Sequence, residues 1–239
     1  VVSGSADRTA RVWDVATGEC LRTLAEHTAA VNSVSVTPDG RYVVSGSLFS
    51  IVQVWDLATG ECLRTLVGHT MLIRSVNITP DGQRAVSGSL DRTVRVWDLA
   101  TGICLHPLTG HTEEIKSVSI TPDGQNAVSS GRNLSFKDIV RVWDLATGEC
   151  LRSINIDPLI GPVLSPSLHR SAENLHSLKN IDNLVGEVRS VGVTPDSQRT
   201  VSKGRDLSGR EWNLVTEVCL HRLMRCIDVK HMSVTPDGR

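Results

Sequence analysis

The sequence predicts an all-β fold made of repeated, four-stranded antiparallel sheets. Trp recurs at positions 13, 55, 97, 143 and 212, so the spacings are 42, 42, 46 and 69 residues. A Thr-Pro-Asp-Gly turn, or a close variant of it, begins at positions 37, 79, 121, 194 and 235. The segments between these markers are short, rich in β-branched residues and without helical periodicity. A repeat of about 42 residues built from short strands follows from these observations.

The cleanest copy of the unit, from Gly68 to Leu108, shows each expected element. The Pro and Gly of its Thr-Pro-Asp-Gly sequence favour the backbone angles of a tight turn between the first two strands. Gly and Asp residues between the later apolar segments predict the other turns. The four strands are predicted at Ile73–Ile78, Arg84–Ser87, Thr93–Leu99 and Ile103–Leu108.

A sheet of this size cannot bury its own faces, so several sheets must stack face to face. Radial stacking gives a β-propeller, which leaves only short and protected edges. Counting strands predicts a single propeller of about five blades over residues 1–239, with the first and last segments sharing one blade. Residues 231–235 would supply the missing first strand of that blade, so we predict that the two termini meet in one sheet. The chain does not begin with Met, and we interpret it as a fragment of a longer array that retains the strands to close.

The 42-residue period, the Gly68-His69 pair and the Trp97-Asp98 pair resemble the WD-repeat (beta-transducin-like) family of β-propellers. The nearly verbatim copies of Trp-Asp-Leu-Ala-Thr-Gly-Glu-Cys-Leu at Trp55 and Trp143 are similar to prokaryotic tandem regulatory arrays of that family. The resemblance implies a non-catalytic scaffold or sensor module of a larger signalling protein. It also implies that protein partners bind to the faces of the propeller.

The resemblance further implies a hydrogen-bonded set in each blade, and the third repeat holds a complete one: His69, Ser87, Asp91 and Trp97. His, Ser and Asp together also suggest a hydrolase. Ser87, however, lies in a predicted strand rather than in a Gly-x-Ser-x-Gly elbow. Partial sets recur in the other repeats, and an indole N–H suits the pairing of buried polar groups. We therefore expect a structural role for the set and no catalytic residue.

The other repeats depart from the complete set. Phe49 occupies the Asp position of the second repeat, and in the fourth repeat four inserted residues place Lys137 and Asp138 near that position. The His of the first repeat would precede residue 1. A buried His without its Asp leaves a polar group unsatisfied, at about 1–3 kcal/mol.

A set of mostly basic residues lies at equivalent positions, two residues before the central apolar residue of each first strand. Because first strands line the channel of a propeller, these residues would form a ring that attracts an acidic peptide segment or a phosphate-bearing partner. Alternatively they are solvated rim charges paired with Glu114 and Glu187, which we favour because surface charges contribute little energy. The set comprises Asn32, Arg74, Lys116, Arg189 and Lys230.

An insertion at residues 155–186 separates the fourth repeat from the fifth. It contains three of the nine Pro residues, followed by a segment that could place several Leu on one helical face. Three interpretations stay open: a docking element or lid, a disordered excursion, or the remnant of a decayed blade.

The net charge of −1, without blocks of like charge, disfavours a nucleic-acid partner. The apolar runs fall far short of the roughly 20 residues that span a membrane. Five of the six Cys lie seven residues after a Trp, so they occupy one position in successive blades, too far apart for disulfides. No zinc-binding spacing occurs. We expect half-buried reduced thiols, no metal, no cofactor and a reducing, cytoplasmic location.

Two other functions stay open. A propeller-framed enzyme would need a cluster of acid, base or metal ligands outside the repeat pattern, and the insertion offers only His169, Glu173 and His176. The two His are poorly spaced for a shared metal. The departures from the repeat also allow a degenerate array without a binding role.

Overall fold

The computed structural model describes residues 1–132, 138–156, 188–194, 199–204, 209–213 and 219–223. These residues form five antiparallel sheets that follow one another along the chain. Within the described residues no helix is long and apolar enough to cross a membrane. The all-β prediction is therefore confirmed, and the strands of the sheets are as follows.

The first sheet contains β1 (Val2–Gly4), β2 (Ala10–Trp13) and β3 (Cys20–Leu24). The second contains β4 (Val31–Val36), β5 (Tyr42–Ser47), β6 (Val52–Asp56) and β7 (Cys62–Leu66). The third contains β8 (Ile73–Ile78), β9 (Arg84–Ser89), β10 (Val94–Asp98) and β11 (Cys104–Leu108). The fourth contains β12 (Ile115–Ile120), β13 (Asn126–Arg132), β14 (Asp138–Asp144) and β15 (Cys150–Ile156). The fifth contains β16 (Val188–Val193), β17 (Arg199–Gly204), β18 (Gly209–Asn213) and β19 (Cys219–Leu223).

Each sheet is a meander, because the order of its strands in space equals their order in the chain. The register between the third and fourth strands shifts immediately before the Trp in every sheet, as between Val96 and Trp97. A bulge of this kind re-aims side chains locally. Its recurrence at one position shows that the repeats are structurally equivalent down to single residues.

Two turns recur with the same physical basis. In the turn between β8 and β9, the Thr79 hydroxyl donates to the Asp81 carboxylate, and Gly82 adopts a φ of 71° that favours Gly. In the turn between β10 and β11, the Asp98 carboxylate accepts from the Thr101 N–H at 2.7 Å. The Asp that follows Trp therefore stabilises the turn, because its carboxylate accepts a hydrogen bond from a backbone N–H a few residues later.

The first strands of neighbouring sheets lie side by side and are joined by hydrogen bonds. The Ser33 hydroxyl accepts from the Val76 N–H at 3.0 Å, and Asn77 donates to the Val118 carbonyl at 3.2 Å. The fourth strands form the opposite edge of each sheet. This arrangement is consistent with propeller blades whose first strands are innermost.

The core consists of apolar layers between successive sheets. One layer joins the second sheet to the third and contains Val44, Val54, Val76 and Trp97. Equivalent layers lie between the first and second, the third and fourth, and the fourth and fifth sheets. Trp55, Trp97 and Trp143 are at most 1% exposed. Since each layer draws on two sheets, no sheet carries a core of its own.

The sheets approach most closely at the Gly of the second strand. A Cβ built on Gly88 would lie 2.5 Å from Cγ2 of Ile115 in the next sheet, and one on Gly46 would collide with Ile73 in the same way. The equivalent residue of the fourth sheet is Ser130, which is fully buried and whose hydroxyl has no hydrogen-bond partner among the described residues. The fourth sheet therefore carries a polar group at a junction that the second and third sheets close with Gly.

The strand bounds differ slightly from the sequence-based expectation in the third repeat. The second strand extends two residues further, to Ser89, and the third and fourth strands are each slightly shorter than expected. The later start of the third strand reflects Thr93, whose N–H donates to the Asp91 carboxylate of the turn rather than to the ladder. The insertion at 155–186 begins inside β15, and its residues beyond Ile156 lie outside the described part of the chain.

The first sheet has three strands, and no sheet of the described residues precedes it in the chain. Val15 is 76% exposed, whereas its equivalents Leu99 and Leu145 are at most 8% exposed. The predicted partner strand at residues 231–235 lies outside the described residues, so the expectation that the termini meet stays a prediction. Joining Val2→Cys to Ser233→Cys under mild oxidation is a direct way to measure it.

We expect Gly88→Ala to destabilise the fold, because the added methyl group would have to displace Ile115 across a packed junction. The expected loss is about 1–3 kcal/mol in the free energy of unfolding. Urea denaturation monitored by Trp fluorescence measures this quantity directly.

Ser130→Ala is the matched control at the equivalent position of the fourth sheet. It retains the Cβ and removes the unpartnered hydroxyl, so the free energy of unfolding should stay the same or rise. A neutral Gly88→Ala together with a strongly destabilised Ser130→Ala would contradict this description of the junctions.

Candidate functional site

The most ordered polar cluster of the chain ties together the loop before β8, the strands β9 and β10, and the turn between them. Nδ1 of His69 lies 2.7 Å from the Asp91 carboxylate, and Nε2 of His69 lies 2.7 Å from the Ser87 hydroxyl. The indole N–H of Trp97 donates to the same hydroxyl at 2.8 Å. The structure thus brings together all four residues that the sequence singled out in the third repeat.

The Asp91 carboxylate connects the parts of this cluster. Burial acts to raise the pKa of its carboxyl, but hydrogen bonds from His69 and Thr93 and from the Thr70 N–H hold that pKa well below its usual range. Thr93 contributes both its hydroxyl, at 2.6 Å, and its N–H, at 2.9 Å. The carboxylate therefore fixes the position of the loop, the turn and the imidazole at once.

This geometry does not suit nucleophilic catalysis. Ser87 is fully buried and His69 is 5% exposed, so a substrate has no route to the hydroxyl. The Ser87 oxygen already interacts with His69 and Trp97. The hydroxyl is thus engaged on two sides inside the sheet, as expected of a buried polar group.

The second and fourth sheets retain the His, Ser and Trp but leave the imidazole incomplete. Trp55 and Trp143 each donate to the Ser of their sheet at 2.8 Å. Nδ1 of His27 and Nδ1 of His111 are buried and have no hydrogen-bond partner among the described residues. Burial lowers the pKa of His27 to about 4, and burial with the Arg141 charge lowers that of His111 to about 3. Both imidazoles are therefore neutral in the folded chain.

The two incomplete sets have different causes. In the second sheet Phe49 occupies the turn position of Asp91, and its side chain is 61% exposed. In the fourth sheet β13 and β14 continue up to the Arg132–Asp138 pair, so the hairpin is longer. Asp138 is consequently buried within a strand rather than placed in a turn, and Lys137 lies outside the described residues.

The Gly before the buried His is needed for space. A Cβ on Gly68 would lie 2.8 Å from Nη1 of Arg95 and 3.0 Å from the Trp97 ring. In the second repeat this Gly is Glu26, and the residue equivalent to Arg95 is the shorter Gln53. The two changes occur together, which accounts for the departure from the Gly-His pair there.

A groove of about 370 Å³ opens at the end of the sheets where these buried clusters lie. The turn Leu90–Arg92 forms one wall, Glu113 and Glu114 of the next sheet form another, and Met71 lines it as well. We call this end of the propeller the loop face. It presents loops rather than strand edges, and rigid scaffolds usually bind their partners through such loops.

A second groove, of about 430 Å³, lies at the other end of the strands, between Leu63 and Arg64 of one sheet and Asp98 and Leu99 of the next. In the following pair of sheets, side chains of the protein itself reach across the corresponding gap. Arg84 donates to the Leu145 carbonyl at 2.8 Å, and Nε2 of His106 lies 3.0 Å from the Ala146 carbonyl.

The mostly basic set is dispersed along the first strands. Asn32, Arg74 and Lys116 hold the second position of β4, β8 and β12. Arg189 holds the same position in β16, where only the backbone is described, and Lys230 lies outside the described residues. Neighbours in the set are thus on adjacent sheets.

Much of the charge of this set is balanced locally. The Asn32 amide donates to the Ile73 carbonyl at 3.0 Å. Glu114 forms an ion pair with Lys116 and approaches Arg74 across two sheets, at 3.9 Å. Arg74 remains 40% exposed, whereas Lys116 is 15% exposed, so Arg74 is the more accessible cation.

Cys20, Cys62, Cys104 and Cys150 are free thiols at the start of the fourth strand of their sheets. Cys62 and Cys104 are half-buried as expected, but Cys20 and Cys150 are exposed. Within the described part of the chain, no group of three or more His, Cys, Asp or Glu side chains could hold a metal ion.

The family model for the WD domain, G-beta repeat, matches residues 1–14, 18–56, 60–98 and 102–144. These segments cover more than half of the chain, and each of the last three runs from the last strand of one sheet through the third strand of the next. The chain belongs to the WD-repeat family.

Two curated relatives match a short segment of the chain. The chain is 50% identical over 44 residues to the nuclear distribution protein PAC1 of Arthroderma otae, and 48% identical over 44 residues to that of Trichophyton verrucosum. The matched segment spans 18% of this chain and 10% of each relative. It is about one repeat long, so it supports the repeat type rather than a shared cellular role.

Membership of the WD-repeat family indicates a protein-interaction scaffold, and the family is in general non-catalytic. The sequence-based identification of the family and of its fold is confirmed. Sequence reasoning noted Phe49 only as a missing Asp and did not single out Met71 or Glu113. The exposed aromatic at an otherwise polar turn position was the signal that could have indicated them.

Asp91→Ala should lower the melting temperature more than Asp39→Ala does. Removal of Asp91 leaves Nδ1 of His69 buried without a carboxylate, at about 1–3 kcal/mol. Asp39 is the control because its carboxylate serves an exposed turn. Equal shifts in calorimetry would refute a stabilising role for the buried cluster.

Phe49→Asp should stabilise the chain, because it offers His27 the carboxylate that Asp91 gives His69. A gain of about 1 kcal/mol is expected from one added hydrogen bond to a charged group. Phe49→Asn, which cannot supply the charge, is the matched control. Chemical denaturation of both variants measures the difference in their free energies of unfolding. An Asp variant that is no more stable than the Asn variant would contradict this prediction.

Stability should fall as the pH drops below 6.5, the ordinary pKa of His. The folded-state pKa values of His27 and His111 are lowered, so the unfolded chain binds more protons in this range. The stability that these two lowered pKa values provide is complete above pH 6.5. It is lost as the pH falls towards 4 for His27 and towards 3 for His111. Unfolding free energies measured across this range should show the slope.

The double variant His27→Gln with His111→Gln is the control for this pH dependence. It should be less stable at neutral pH but show a shallower slope above about pH 5.5, which is about a unit or more above the ordinary pKa values of Asp and Glu. An unchanged slope would mean that other groups cause the dependence.

Proposed function

We propose that this chain is the partner-binding module of a larger signalling or regulatory protein, acting in the cytoplasm as a scaffold or sensor. The observation that carries the proposal is the rigid stack of sheets with loops and one accessible groove at the loop face. Rigid sheets hold loops in fixed relative positions, which is what recognition of a protein segment needs. The Ser and His side chains are committed inside the sheets, which favours binding over catalysis.

We further propose that an acidic segment of a partner binds along the first strands, at Arg74 and Lys116. Arg74 is the more accessible of the two cations, and Glu114 between them limits how much negative charge the site attracts. Exposed cations contribute mainly to the rate and salt dependence of association. The binding of acidic segments should therefore be moderate and sensitive to salt.

The test is the binding of a fluorescein-labelled peptide of alternating Glu and Gly, followed by anisotropy at several salt concentrations. Arg74→Glu combined with Lys116→Glu should weaken binding by about tenfold or more, or roughly 1.4 kcal/mol. Arg22→Glu with Arg64→Glu is the matched control, since it makes the same change of charge on the exposed outer strands β3 and β7. Equal weakening by both pairs would mean that only net charge matters, and would remove the acidic-segment proposal.

A second candidate is a degenerate repeat array without a binding role. The unpartnered Nδ1 atoms of His27 and His111 and the Ser130 hydroxyl favour it, because decay leaves such defects. The two candidates differ in one consequence. A decayed array gains stability from repair of any defect without losing a partner, whereas a binding module loses its partner when a repaired residue belongs to the binding surface.

A further inference from the structure

Phe49 departs from what the fold favours in two separate ways. Its side chain is 61% exposed, so a large aromatic surface faces solvent. It also replaces the carboxylate that would satisfy Nδ1 of His27, which is buried without a partner. Natural sequences break local rules mainly at functional or strained sites. One position that breaks two rules together therefore calls for a functional explanation.

The backbone does not require the Phe. Ser50, the next residue, has a φ of 60°, close to the 69° of Arg8 and the 71° of Arg92 after the Asp of the first and third repeats. The Leu48 N–H donates to the Ala30 carbonyl at 3.0 Å, just as the Leu90 N–H donates to the Leu72 carbonyl at 2.9 Å. The turn is the same with Asp or with Phe, so only the side chain distinguishes the second repeat.

Repeat equivalence places Phe49 next to Met71. The turn at Asp91 and the loop at Glu113 of the following sheet line one groove. Phe49 and Met71 stand 42 residues earlier than Asp91 and Glu113 respectively, in the preceding pair of sheets. Met71 is 49% exposed and also lines the groove itself. Phe49, Met71 and Glu113 therefore follow one another around the loop face, and we call them the loop strip.

The groove beside the loop strip is lined by the carboxylates of Asp91, Glu113 and Glu114 and by one cation, Arg92, so its net charge is negative. Glu113 forms no ion pair with any residue of the described part of the chain. Glu114 is already paired with Lys116 and Arg74, and Asp91 is engaged by His69 and Thr93. Glu113 is consequently the carboxylate left for a cation from outside. An exposed apolar pair beside an unpaired carboxylate fits a ligand that is apolar at one point and basic at the next.

We propose that the loop strip binds a segment of a partner protein in which an apolar side chain is followed closely by Lys or Arg. The apolar side chain packs on Phe49 and Met71, and the basic one pairs with Glu113. Aromatic residues that become buried on binding contribute most of the energy of such interfaces. This deepens the proposed scaffold function and rests on it, but it uses a surface distinct from Arg74 and Lys116.

The test is selection of a random displayed peptide library against the full chain, followed by affinity measurements on the enriched peptides. The peptides should combine an apolar residue with Lys or Arg. Phe49→Asp should weaken their binding by at least about tenfold. This variant is expected to be more stable than the natural chain, so a loss of binding cannot be attributed to unfolding. Glu113→Lys should weaken the same peptides and favour versions with Glu in place of the basic residue.

Leu21→Asp is the matched control, because Leu21 is also exposed, at 57%, but lies on the outer strand β3. It should leave peptide binding unchanged. Enriched peptides that are acidic, or that bind Phe49→Asp as well as the natural chain, would overturn the loop-strip proposal and leave the scaffold function standing. A selection that enriches no peptide would overturn both. Sedimentation that shows a dimer abolished by Phe49→Asp would identify a second copy of the chain as the occupant and would also overturn the proposal.

Discussion

The hydrogen bond from His69 to the Asp91 carboxylate, with its extension through Ser87 to Trp97, is the interaction that ties the parts of the third sheet together. It links the loop that enters the blade, its second and third strands, and the turn between them. A four-stranded sheet has too little apolar surface to fix these parts by itself. The buried polar chain supplies directionality that apolar packing lacks, because every donor in it has one acceptor.

Packing between sheets holds neighbouring blades together. In the second and third sheets, the Gly of the second strand lets the first strand of the next sheet approach. The Trp side chains of the third strands fill the layers between sheets. Both features depend on the register of the sheet, which the recurring bulge before the Trp sets. The same few residue types therefore determine both the interior of a blade and its contact with the next one.

The sequence was sufficient for the fold because the chain repeats itself. A Trp or Thr-Pro-Asp-Gly marker seen once is weak, but in register several times it fixes strand order, turns and the members of the buried cluster. Contacts between side chains of different sheets could not be predicted from the sequence, because they depend on which side chains meet in space. The sharing of Glu114 by Arg74 and Lys116, and the bridging of one groove by Arg84 and His106, are examples. Asp138 was misleading because a longer hairpin moved it from a turn into a strand.

Departures from the repeat are informative in proportion to their energetic effect. Phe49 leaves an imidazole unsatisfied and a ring exposed, and it changes nothing in the backbone, which is the pattern expected when stability is sacrificed for binding. Ser130 leaves only a buried hydroxyl and faces no surface, so it carries no such implication. Comparing repeats within one chain thus separates a functional departure from simple drift.

The central claim is that a carboxylate organises each complete cluster, and the protonation of the imidazole nitrogens tests it most directly. Asp91 is only an acceptor, so Nδ1 of His69 must carry a proton. In the neutral imidazole, Nε2 then accepts from the Ser87 hydroxyl, whose oxygen also accepts from the indole N–H of Trp97. Nitrogen NMR of the His side chains at neutral pH should show a protonated Nδ1 and an unprotonated Nε2 for His69. A proton on Nε2 of His69 instead would contradict the account.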